Sequence, residues 1–219
     1  MFVLMSYYPV AGVLYTFGYV NSIIVLQVGL CFLAPSPVEE KSSLYVLLRS
    51  QRRQSFWAAR VLGSLLYVYG LVTLLALVGM MLTAIIHGTL FDSINVHFPS
   101  IDRLSATGIK SILLMVNLLS LGVSSVFAVM DVLQLLLNSA IAAYGIVATL
   151  LFVSAISYLI PTKPISYIIF QISPFLRMSL LANLFYRTSP ANSLLFLLLL
   201  HFFSSLFGRL LFTRKEITA

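Results

Sequence analysis

The residues able to do chemistry in this 219-residue chain are few, and their spacing forms no catalytic set. His87, His97 and His201 are the three histidines, none of them in an HExxH pair, and Cys31 is the single cysteine, so neither a zinc site nor a disulfide framework is signalled. Glu39 and Glu40 stand together, but a paired-glutamate intramembrane protease needs an arginine four residues on, where this chain has Leu44. A two-aspartate intramembrane site needs two aspartates within spans, and only Asp131 adjoins an expected span. Gly122-Val123-Ser124 is a weak match to a serine-nucleophile turn, and no histidine pairs with it. A GxxxxGK[ST] phosphate loop is absent, so the chain does not bind ATP by that route. The expectation is a chain without catalytic, metal or cofactor residues. Its polar groups then serve recognition and passage: the charged segment 35–60, and isolated polar residues inside apolar runs.

Those runs dominate the chain. Hydrophobic residues make up 60% of it and charged residues 9%, with mean hydropathy +1.04; a soluble domain carries roughly 25% charged residues. Too few polar side chains exist to cover a monomeric globule in water. No mixed-composition stretch is long enough for a soluble head domain. A charge at mid-bilayer costs roughly 2.5–3.5 kcal/mol even on the lenient insertion scale, and a span needs about 20 apolar residues. Five charge-free runs qualify: 1–38, 61–91, 111–130, 132–162 and 188–208. Leu-rich blocks such as 194–200, apolar on every side, fit helices and not the alternating strands of a barrel. The fold expected is an all-α polytopic bundle forming one transmembrane domain over residues 1–219. Its spans fall at about 9–34, 58–87, 111–130, 134–160 and 190–211. Pro9 opens the first, and Pro35 and Pro37 end it. The third and fourth meet in a tight hairpin at Asp131, with Gln134 and Asn138 nearby.

Basic residues orient the bundle, because Lys- and Arg-rich short loops stay cytoplasmic. With five spans, the loop 35–60 (Lys41, Arg49, Arg52, Arg53, Arg60) and the tail (Arg209, Arg214, Lys215) share one side, holding 8 of 13 basic residues. That side is assigned to the cytoplasm. The net charge of +7 is accordingly a topology signal and not a nucleic-acid footprint, since the basic residues are spread over short loops. Met1 then falls outside with no basic targeting region before it, which points to a missing first span, upstream or in a partner chain.

Segment 35–60 is the one cytoplasmic stretch polar enough to meet a soluble partner. Leu44, Leu47 and Leu48 fall on one helical face, Ser43 can cap the helix start, and Arg49, Arg52 and Arg53 cluster at its far end. Phe56 and Trp57 stand where interfacial aromatics usually lie. The order of a span, then Glu39-Glu40-Lys41-Ser42-Ser43, then 44–48, then 49–53, then Arg60 opening a long span, resembles the ABC-2 (type-2) ABC transporter permeases. The resemblance implies that 35–57 is a coupling helix docking into a cytoplasmic ATPase subunit through Glu39, Glu40, Lys41, Leu44, Leu47, Leu48, Arg49, Arg52 and Arg53. It implies short external re-entrant helices in the Pro-containing stretch 161–190. It implies ATP and Mg in a partner chain, a second permease chain (homo- or heterodimer), and a bacterial cell membrane. The family usually has six spans after a cytoplasmic amphipathic helix, against five counted here.

Polar residues inside spans must face protein or water. Asn21 and Gln27 in the first span, Asn117 in the third and His201 in the last are the candidates for a translocation path, with interhelical hydrogen bonding as the alternative. Arg177 and Arg187 are positioned to attract an anionic lipid or carboxylate, or simply to snorkel to headgroups. Competing readings of the whole are a non-transport membrane scaffold or assembly subunit, whose basic loop lies on anionic membrane lipids, and an intramembrane enzyme.

Overall fold

The structure, a computed structural model, describes residues 53–87, 108–156, 163–179, 182–183 and 186–214. The described residues are helical, with no strand among them. We label the elements α1 (Arg53–His87), α2 (Gly108–Leu137), α3 (Ala140–Ile156), α4 (Lys163–Ile172), α5 (Pro174–Arg177) and α6 (Pro190–Arg214). Three stretches within them are long and apolar enough to cross a membrane: Gln54–Val78, Leu113–Leu137 and Pro190–Arg214. At 1.5 Å per residue each 25-residue stretch measures about 37 Å, enough for a hydrocarbon core of about 30 Å. The α3 helix is shorter, at 17 residues. The expected first span, 9–34, lies outside the described residues.

The α2 helix is the core, with 61% of its apolar window buried against 11% for α1 and for α6. The outer faces of α1 and α6 are Leu- and Phe-rich, as at Leu66 and Phe203, and stand exposed. That pattern suits hydrocarbon as solvent and not water. The α1 helix runs antiparallel to α2, since Arg60 meets Asp131 near one end and Tyr69 meets Asn117 farther along. The α6 helix runs parallel to α2: Ser125 meets Leu197, and Leu135 packs with Phe212 lower down. Val68, Leu118, Val126, Met130 and Leu197 form the middle of the core.

The hairpin expected at Asp131 is corrected. The α2 helix runs through Asp131 without a break to Leu137, and the turn is Asn138-Ser139. An acidic side chain does not end a helix when a cation from a neighbour meets it, whereas Asn138 takes the left-handed conformation (φ 53°) that asparagine tolerates. Ser139 then starts α3 by accepting a hydrogen bond from the Ala142 N–H at 3.2 Å. The last helix extends three residues past the expected 211, to Arg214.

Between α3 and α6 the chain makes two short helices. Ser173 links them to α3 through a 2.6 Å hydroxyl contact with Ser154, and it caps α5, with Pro174 in the first turn. Met178, 1% exposed, presses onto Gly122 at the midpoint of α2. A Cβ added at Gly122 would stand 2.4 Å from the Met178 Cβ, so this approach requires glycine. Gly122→Ala is expected to cost about 1–3 kcal/mol, read as a lower midpoint in detergent unfolding. Because the collision is with Cβ, Met178→Ala fails to rescue it and Met178→Gly succeeds. Equal midpoints for wild type and Gly122→Ala would refute the contact.

Candidate functional site

The best-defined polar constellation lies where the start of α1 meets the ends of α2 and α6. Arg60 is six residues inside the α1 window from Gln54, and Asp131 six residues inside the α2 window from Leu137. Both therefore sit at the same depth, about 9 Å from the helix-window ends. Antiparallel packing brings them together in a bidentate pair, with Nε donating to Oδ2 at 3.1 Å and Nη2 to Oδ1 at 3.0 Å. The planar guanidinium fork matches the carboxylate, the strong form of such a contact. Below the pair, Trp57 is 2% exposed and donates its indole N–H to the Ser205 carbonyl at 2.9 Å. Its ring lies 5.5 Å from that of Phe212, which also stacks on Phe56 at 5.8 Å. Arg209 donates to the Gln54 Oε1 at 2.6 Å. Three helices are thus tied at one end by charge, aromatic packing and a side chain-to-backbone bond. Trp57 is a packing anchor there and not the interfacial aromatic expected from its position.

A second polar feature is the seam between α2 and α6. The Ser125 hydroxyl shares its one proton between the Leu121 carbonyl at 2.6 Å and the Leu197 carbonyl at 2.8 Å, linking the two helices. The hydroxyls of Ser120, Ser124 and Ser205 and the Nδ1 of His201 are enclosed without a hydrogen-bond partner. His201 lies against the Ser124 backbone. Small side chains here permit close approach of α2 and α6. Of the expected path residues, His201 is therefore half-buried at this seam. Asn117 is exposed on α2, accepting from Tyr69 Oη at 3.4 Å and donating to the Leu113 carbonyl at 2.8 Å. The structure does not bring the two together, and Asn21 and Gln27 lie outside the described residues. So do Glu39, Glu40, Lys41, Leu44, Leu47, Leu48, Arg49 and Arg52, while Arg53 is the first residue of α1. Among the described residues no three His, Cys, Asp or Glu side chains converge as a metal site would need.

The third feature is Arg177 at the end of α5. It is 7% exposed, with Phe196 4.3 Å and Phe170 5.5 Å from its guanidinium. Burial lowers its pKa from the ordinary arginine value, yet a guanidinium stays charged in proteins. Of the two arginines considered for snorkelling, Arg177 is packed in, and only Arg187 is exposed.

Sequence reasoning missed the Arg60–Asp131 pair, taking Asp131 as a turn residue and Arg60 only as the opening of a long span. The signal was present: two opposite charges, each interrupting an apolar stretch at equal distance from the same end of consecutive antiparallel helices, have to pair. The class these features define is a helical protein with membrane-spanning segments. Comparison with protein-family models, curated proteins and solved structures gave no match.

Proposed function

We propose that this chain is the permease subunit of an ATP-driven ABC-2-type exporter in a bacterial cell membrane, paired with a second permease chain and driven by separate ATPase subunits. The observation that carries the reading is the tied base of α1. Segment 35–52 leads directly into Arg53, and within the next seven residues α1 is fixed to α2 and α6 through Trp57 and Arg60. A push delivered to a coupling helix in 35–57 would move three helices as a body and not bend one. Such coupling works only if the ATPase contacts differ between two permease conformations. Two further features support it. Basic residues Arg53, Arg60, Arg209 and Arg214 gather toward this end, as positive-inside orientation requires. The short helices α4 and α5 precede the last long helix, in keeping with external re-entrant helices.

Co-expression with an ABC ATPase subunit from the same organism is expected to give a complex stable in mild detergent. Glu40→Arg, or Arg52→Glu with Arg53→Glu, is expected to lower recovery of the ATPase about tenfold, a loss of about 1.4 kcal/mol. Undiminished recovery in both variants would overturn the reading in favour of a scaffold whose basic loop rests on lipid.

A further inference from the structure

Arg177 is a buried cation whose charge is only partly compensated among the described residues. Its Nε donates to the Gln171 carbonyl at 3.0 Å and its Nη2 to the Gln171 Oε1. Among the described residues its Nη1 has no hydrogen-bond partner, and this amino group is not fully enclosed. Among the described residues the ion pair is Arg60–Asp131, and no carboxylate reaches Arg177. The Phe196 and Phe170 rings attract the cation, but an aromatic quadrupole contributes only about 0.5–2 kcal/mol and supplies no counter-charge. A charge this far out of water normally has a partner.

The setting holds the guanidinium ready for one. Asn183 donates to the Arg177 carbonyl at 2.9 Å and the Ser179 carbonyl at 2.8 Å, and accepts from Ser193 on α6. The backbone carrying Arg177 is therefore fixed between α5 and α6. Rings near the guanidinium leave its N–H edge as the face for an anion, and that edge fits the oxygens of a phosphate. Beside it, α4 is packed on α5 through Phe170 and Leu176 and turns Ile165, Ile168 and Ile172 outward, the last 69% exposed. Ten residues reach about 15 Å, too short to span, so this apolar face suits acyl chains at the membrane boundary.

We propose that Arg177 binds the phosphate of an anionic phospholipid, with acyl chains lying along the Ile165, Ile168 and Ile172 face of α4. The assignment is independent of the exporter reading. The full-length protein in detergent, offered equal phosphatidylglycerol and phosphatidylcholine, is read by native mass spectrometry for bound lipid. Wild type is expected to hold phosphatidylglycerol about tenfold more tightly. Arg177→Gln is expected to abolish the preference, and Arg187→Gln, at an exposed position, to keep it. Equal retention of the two lipids by wild type would overturn the proposal without reference to any variant's folding, and would be the result if an acidic side chain of the chain itself filled the site. A preference that survives Arg177→Gln would overturn it too. Inorganic phosphate is expected not to displace the lipid, because it lacks the acyl contacts; displacement would identify a free-anion site instead.

Discussion

Asp131→Ala is expected to cost about 3–5 kcal/mol of bundle stability. The substitution removes both carboxylate oxygens that accept from Arg60, at 3.1 and 3.0 Å, and leaves a guanidinium inside an apolar helix window. The side chains of the pair are 18% and 11% exposed, so water offers little replacement. Arg60→Ala is expected to cost a similar amount by stranding the carboxylate. Asp131→Asn keeps the shape and one acceptor but not the charge, and falls between. The double replacement Arg60→Met with Asp131→Leu removes both charges together, and buried pairs exchanged this way are often neutral or even stabilising by about 1–4 kcal/mol. The sign therefore separates two accounts: a pair retained for stability would make the double variant worst, a pair retained for geometry would make it best. We expect the second. Unfolding by SDS, followed by the fluorescence of Trp57 in the same helix base, measures all four variants. A loss under about 1 kcal/mol for Asp131→Ala would mean that the pair behaves as a surface contact.

How much of this was legible beforehand depends on which physical signal each part left in the chain. The presence of the long apolar helices α1, α2 and α6, though not all of their ends, followed from apolar runs bounded by charge, because lipid penalises charge steeply and the runs are long. The stretch around Asp131 misled because the counting rule treats every charge as a boundary. That rule holds for a lone charge and fails for a pair, and pairing is a tertiary fact. Packing roles were hidden for the same reason. Trp57 looks interfacial from its distance to the span, yet the glycine at 208 opens a slot for its ring on a helix about 150 residues away. Arg177 and Arg187 look alike in sequence, and only the folding of α4 and α5 buries one and exposes the other. The coupling segment was read from composition and resemblance, and its residues up to Arg52 lie outside those described.

Trp57→Ala is the second substitution with a large expected effect, about 3–5 kcal/mol. The indole is buried against Phe212 and Leu135, and its N–H reaches the Ser205 carbonyl at 2.9 Å, so truncation opens a cavity and removes a bond between helices. Gly208 is its complement. A Cβ there would stand 2.3 Å from Trp57 Cζ2 and 2.9 Å from Cη2, so Gly208→Ala forces α1 and α6 apart at about 1–3 kcal/mol. The two costs are not additive. Once the indole is gone the methyl group has room, so Gly208→Ala in the Trp57→Ala background is expected to cost under about 0.5 kcal/mol, and the coupling energy nearly equals the single Gly208→Ala cost. Far-UV circular dichroism during SDS unfolding measures the cycle, since the variant loses the sole tryptophan. Additive losses would mean that ring and glycine do not touch. Coupled losses fix α1 to α6 within five residues of the point where segment 35–52 enters, the stiffness that the proposed transmission of force from that segment would require.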